Sequence, residues 1–205
     1  MDTLKQITLI IALLFAGFSF TNAQTNVIKA FEESYLLETA GKNKEALATL
    51  KSVYNENSYE INLRLGWLAY LSGKFTESTA YYNNAIDKLP MSIEARLGIV
   101  LPLSAMGNWN EIINHYNKIL EIDPKNSLVN YRLGVIYYER KQYDKSETYL
   151  KQVINLYPFD YDSLLMLAWV KYRQGDNNQA KLLFNKVLMS HPNHTSAKEG
   201  LTLVR

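Results

Sequence analysis

The chain has 205 residues, 47% hydrophobic and 20% charged, with a formal net charge of +2 and no cysteine. The apolar share is compatible with a folded domain, and no low-complexity or linker segment divides it. The slight charge excess argues against electrostatic capture of nucleic acid or of an anionic membrane surface.

Residues 1–23 differ in composition from everything after them. Lys5 and the amino terminus precede an apolar run from Ile7 to Phe20, and the small residues Thr21, Asn22 and Ala23 follow. This is the layout of a secretory signal peptide with a cut ahead of Gln24. The 14-residue run falls short of the roughly 20 residues a membrane-spanning helix needs, so cleavage is expected rather than anchoring. The expected location is exported, periplasmic or envelope-associated. No cysteine follows the run, which excludes lipid attachment to one, and an exported chain without disulfides relies on its core alone.

The rest of the chain repeats. Pro90, Pro124, Pro158 and Pro192 recur at intervals of 34 residues, and only Pro102 breaks the series. Residues 27–58 form a first, divergent repeat without the proline, marked by Gly41 at a turn and by Ala46, Leu50 and Val53. Residues 59–92 follow with Leu65, Gly66, Ala69, Ser78, Tyr82, Ala85 and Pro90. The third repeat, 93–126, is irregular: Gly98 falls two residues before the expected glycine, Val100 and Ile112 take the small-residue positions, and Pro102 lies inside the first helix. A proline there costs about 3 kcal/mol unless the helix kinks. Both a tolerated bend and a selected hinge are open readings.

The fourth repeat, 127–160, shows the pattern most clearly. Apolar residues at helical spacing (Leu128, Leu133, Ile136, Tyr137) pause at Glu139 to Gln142 and resume from Tyr143 to Tyr157, which predicts two helices joined by a turn. Pro158 ends the second helix, and Asp160 is placed to cap the next one. Gly134 inside the first helix and Ser146 on the second let the pair approach closely. The fifth repeat, 161–194, carries Leu167, Ala168, Gly175, Ala180, Phe184, Val187 and Pro192. In residues 195–205, Ala197, Leu201 and Val204 suit a short helix that covers the last apolar face.

With its 34-residue period and helix-turn-helix repeat, the chain resembles the tetratricopeptide repeat (TPR) family of exported bacterial type. The residues that carry the likeness are Leu133, Gly134, Tyr137, Ser146, Leu150, Val153 and Pro158, with their counterparts in the second repeat. The fold class expected is all-α: a TPR superhelix, or α-solenoid, of about five repeats with a C-terminal capping helix. The resemblance further implies a concave face lined by the first helix of each repeat, at positions two, five, six, nine, twelve and thirteen. Those positions place Phe31, Tyr35, Arg64, Trp67, Tyr70, Tyr131, Arg132, Tyr138, Trp169 and Tyr172 in a partner-binding groove, with Leu97, Leu101 and Ser104 from the third repeat. The Lys and Asn of the family's carboxylate-clamp members are replaced by Phe31 and Tyr35, so a clamp of that kind is not expected.

Aromatic rings supply contact area at small entropic cost, and Arg64 and Arg132 offer guanidinium groups able to hold a carboxylate, a mixture suited to an extended protein or peptide segment. Filling of gaps between neighbouring helices is the competing use of such rings. Stacking of Trp67 and Trp169 on sugar rings gives an alternative, a glycan or cell-wall ligand. A structural subunit of an envelope complex using the convex face is a third reading, and oligomeric state is left open. No catalytic residue, metal site or cofactor motif is expected: there is no nucleophile elbow, phosphate-binding glycine loop or His-Glu metal motif. His191 and His194 read as ordinary exposed histidines in a turn, and Glu32, Glu33 and Glu38 as solvated charges on a helix face.

Overall fold

The computed structural model describes residues 24–204; the signal-peptide reading of 1–23 lies outside them. Among the described residues all regular structure is helical. A first helix, α1, covers 24–39. It is followed by α2 Asn43–Lys51, α3 Tyr59–Leu71, α4 Phe75–Lys88, α5 Ile93–Ala105, α6 Trp109–Ile122, α7 Ser127–Glu139, α8 Tyr143–Leu156, α9 Tyr161–Arg173, α10 Asn177–Ser190 and α11 Thr195–Leu203. The chain divides into two compact bodies, one ending at Ile112 and one beginning at Ile113.

The helices α3, α5, α7, α9 and α11 each start on a side-chain cap. Ser58, Ser92, Asn126, Asp160 and His194, themselves 34 residues apart, accept the amides of Ile61, Ala95, Val129, Ser163 and Ala197 at 3.2, 3.0, 3.1, 2.9 and 3.3 Å. Such caps contribute about 1 kcal/mol each by satisfying an amide that the helix leaves unpaired. His194 is therefore half-buried and structural, while His191 lies against the Tyr161 ring, 4.1 Å between centroids.

The turn between the helices of a repeat needs one residue at positive φ. Gly41, Gly73, Gly107 and Gly175 supply it, and Lys141 takes the same place in the fourth repeat at φ 56°. A residue with a side chain is strained in that region, so the fourth repeat carries a local cost that the others avoid.

In the N-terminal body α3 packs on α2, α4 and α5, around Leu47, Leu50, Ile61, Leu65 and Leu68. In the C-terminal body α9 packs on α7, α8, α10 and α11, around Leu150, Leu164, Leu167, Phe184 and Val187. Close approach of helices is explicit at two places. The Ser78 hydroxyl donates to the Gly66 carbonyl and the Ser146 hydroxyl to the Gly134 carbonyl, both at 2.6 Å. A Cβ on Gly134 would meet Leu150 Cδ2 at 2.7 Å, and one on Gly66 would meet the Tyr82 ring at 2.9 Å. Buried Asn62 and Asn130 hold the same position in the second and fourth repeats. Their amides donate to the Ser58 and Asn126 carbonyls at 2.7 and 2.9 Å, which ties each helix to the turn before it.

The third repeat is less degenerate than its spacing suggests. Gly98 faces the buried Tyr82 ring: a Cβ there would lie 2.3 Å from Cε1. Tyr82 is thus held between two glycines, Gly66 and Gly98, and the early glycine answers the size of the ring rather than a lapse of the pattern. A ring likewise faces a glycine of the following helix where Gly200 meets Phe184, with a Cβ that would lie 2.2 Å from Cζ. Pro102 is buried inside α5, which continues to Ala105. Having no N–H, it leaves the Gly98 carbonyl without its intrahelical donor.

Candidate functional site

Residues spaced i, i+3, i+4 and i+7 share one face of a helix. In α3 that stripe is Glu60, Leu63, Arg64 and Trp67; in α5, 34 residues on, it is Glu94, Leu97, Gly98 and Leu101; α1 contributes Phe31 and Tyr35. These residues, with Tyr59 and Tyr82, line an open cavity of about 610 Å³ in the N-terminal body. Six of the expected groove residues, Phe31, Tyr35, Arg64, Trp67, Leu97 and Leu101, therefore meet around one hollow. Tyr70 does not line it; its ring sits 5.8 Å from Trp67 and 5.9 Å from Phe75.

Arg64 departs from the expectation that it would hold a partner's carboxylate. It is 8% exposed. One guanidinium nitrogen donates to Glu38 Oε2, Nε and Nη2 reach Ser34 Oγ at 3.3 Å, and the group lies 3.7 Å over the Tyr35 ring. The other Glu38 oxygen accepts the Trp67 indole N–H at 2.6 Å. Glu38 is thus no solvated charge: it compensates a nearly buried guanidinium, which desolvation would otherwise make costly. Glu32 and Glu33 are exposed.

The polar edge of the cavity is acidic. Tyr59 Oη shares a hydrogen bond with Ser92 Oγ at 2.7 Å and donates to Glu94 Oε2 at 3.2 Å. Burial raises the Tyr59 phenol above its ordinary value, as it does, more strongly, that of Tyr82. The Glu60 carboxyl is held below its ordinary value by its own backbone amide and by the Ser58 hydroxyl, 2.8 Å away. No lining residue is a histidine, lysine, serine, threonine or cysteine. The arrangement offers contact area, carboxylates and phenols, and no nucleophile paired with a base.

Ser104, on α5, is exposed and does not line the cavity; the remaining expected residues lie in the C-terminal body. Tyr131 shares a smaller cavity, about 370 Å³, with Leu128, Val153, Tyr157 and Asp162. Arg132 is exposed and does not line it. Tyr138 lies against Tyr143 and accepts from Arg173 Nε at 3.4 Å. Trp169 donates to Ser196 Oγ at 3.0 Å and packs edge-on against Phe184 and Tyr172. These rings fill spaces between helices, the competing use of aromatics. Glu60, Leu63, Glu94 and Tyr59 were missed as cavity residues, although Glu60 and Glu94 share a repeat position and Leu63 and Leu97 share another. Among the described residues no group of His, Asp and Glu is placed to hold a metal ion, and no helix is long and apolar enough to cross a membrane.

Paired helices in sequence order, capped and turned at one period, define an all-α helical-repeat protein of the solenoid kind. Residues 103–164 and 162–194 each match the tetratricopeptide repeat family, so these stretches carry TPR repeats. A TPR protein from Parabacteroides merdae superposes with a TM-score of 0.76 at 19% identity, over 88% of this chain and 72% of that one. YrrB, described as a TPR protein with an unusual peptide-binding site, gives 0.72 at 11% identity, over 91% and 97%. In sequence, the BBSome complex member BBS4 of Bos taurus is 24% identical over 134 residues, 65% of this chain. The chain spans about a quarter of the length of the curated relatives it matches.

Proposed function

We propose that this protein is a non-enzymatic interaction module that seats a segment of a protein partner in the cavity of its N-terminal body. The observation that carries the reading is the stripe repeated on α1, α3 and α5, which surrounds some 610 Å³ with Phe31, Tyr35, Leu63, Trp67, Leu97 and Leu101. A hollow of that size suits one or two large side chains, and rigid aromatic walls are what such anchors bind. The solenoid fold and the peptide-binding site named for YrrB support a peptide as occupant. The indole N–H groups of Trp67 and Trp169 are taken by Glu38 and Ser196, so neither is left to a sugar hydroxyl. This weighs against the glycan alternative.

The test is a displayed library of random dodecapeptides panned against the wild type and against Leu97→Asp. Peptides selected by the wild type are expected to lose the variant. If the selected peptides bind both proteins alike, the cavity is not the docking site. Fluorescence titrated with soluble cell-wall fragments should stay flat.

The reading places the module in the cell envelope after removal of a leader near Ala23. Amino-terminal sequencing of the protein recovered from an envelope fraction should begin at Gln24, and an intact Met1 in a cytosolic fraction overturns that placement.

A further inference from the structure

We infer that the segment this cavity takes is basic: an apolar side chain seated against Leu63, Leu97 and Leu101, flanked by a lysine or arginine held at Glu60 and Glu94. The inference rests on the docking reading above and gives its partner a chemistry. Arg64 is the cation of the lining, and its charge is matched by Glu38. That leaves the Glu60 and Glu94 carboxylates, both exposed. Neither has a lysine or arginine within ion-pairing distance among the described residues. The hollow thus presents net negative charge although the chain as a whole carries +2.

Two features keep that edge acceptor-rich. Glu60 and Glu94 stand in the first turns of α3 and α5, and the Glu60 carboxyl is held below its ordinary value by its own backbone amide and the Ser58 hydroxyl. The Tyr59 hydroxyl steadies one oxygen of Glu94 and leaves the other free. A lysine or arginine can lay its aliphatic stem along the leucine and aromatic wall while its head reaches these acceptors. An acidic segment would meet like charge there, which works against the wrong partner.

The probes are three fluorescein-labelled decapeptides with one Leu-Phe-Leu centre, flanked by lysines, serines or glutamates, titrated by fluorescence anisotropy. The lysine-flanked peptide is expected to bind at least about tenfold tighter than the glutamate-flanked one, with an affinity that falls as salt rises. The double variant Glu60→Gln/Glu94→Gln should lose about tenfold for the lysine peptide, leave the serine peptide unchanged, and weaken the salt dependence; Glu111→Gln, elsewhere on the surface, should lose nothing. First-turn carboxylates also support their helices, so melting temperature is followed separately from binding.

The inference is overturned if glutamate-flanked peptides bind as well as lysine-flanked ones, or if the double variant loses no more than Glu111→Gln. The docking reading fails separately: it falls if Leu97→Asp, or Leu101→Asp where the first does not fold, binds all three peptides as the wild type does. If the wild type binds none of them, both readings fall.

Discussion

Replacing Gly98 by alanine sets two effects against each other, and the geometry decides between them. Alanine in a helix interior is favoured over glycine by about 1 kcal/mol. The new methyl, however, would lie 2.3 Å from Tyr82 Cε1 and 2.7 Å from Cζ, over an ångström inside ordinary contact. The ring is 2% exposed and has little room to swing away, because Gly66 also packs on it so closely that a Cβ there would lie 2.9 Å from it. Overpacking of this kind costs about 1–3 kcal/mol, and a ring confined on both faces belongs at the upper end. Gly98→Ala should therefore destabilise the N-terminal body by about 2 kcal/mol net, read by urea denaturation followed by circular dichroism. In a Tyr82→Leu background the ring edge is gone, so the same substitution should become neutral or stabilising. The cycle should show a coupling of about 2–3 kcal/mol. If Gly98→Ala stabilises the wild type, Tyr82 is not wedged between the glycines and the account of the third repeat is wrong.

Lys141→Gly removes a positive-φ side chain from an exposed turn and should stabilise the C-terminal body by about 1 kcal/mol, seen as a higher urea midpoint. Glu38→Gln leaves Arg64 nearly buried without its counter-charge and should cost about 2–3 kcal/mol, read as a lower urea midpoint; the one amide oxygen cannot serve Arg64 and Trp67 as the two carboxylate oxygens do. In the C-terminal body burial alone would raise the Glu147 carboxyl, but hydrogen bonds from Lys151 and Lys171, at 2.6 and 2.7 Å, bring it down to about 2. A lowered carboxyl stabilises above the unfolded value near 4.5 and loses that contribution as pH falls toward 2. Glu147→Gln should accordingly cost about 1–2 kcal/mol at pH 7, after screening by solvent around the half-exposed Lys151, and almost nothing at pH 2. Equal loss at both pH values would remove the ion pairs as its cause.

The helix pairs were legible because several independent signals share one interval. Closing prolines and capping residues recur at 34, as do the turn positions from Gly73 onward, and each acts within a few residues of where it stands. The positions of Phe31, Tyr35 and Trp67 around one hollow follow from helical spacing once the repeat is known. What stayed hidden depends on contacts between repeats. Nothing near Arg64 in the sequence shows that Glu38, 26 residues earlier, reaches it, although both occupy repeat positions assigned to the same face. Gly98 looked misplaced because it was judged against its own repeat, whereas its partner, Tyr82, belongs to the one before. The rings of the C-terminal body share positions with those of the cavity, yet Trp169 is drawn onto Phe184 and Ser196, contacts that position alone does not foretell.

The Tyr82 and Phe184 rings, each met by a glycine of the following helix, also bear on how such an array can change length. A bulky knob on one module requires a notch on the next, so neighbours are keyed to each other. Copying residues 59–92 in tandem would set Tyr82 of the first copy against Arg64 of the second instead of Gly98, and the duplicate would not seat without a compensating change. The order of modules in this chain is therefore part of its architecture, and growth or shuffling by whole periods is restricted to junctions whose shapes already agree.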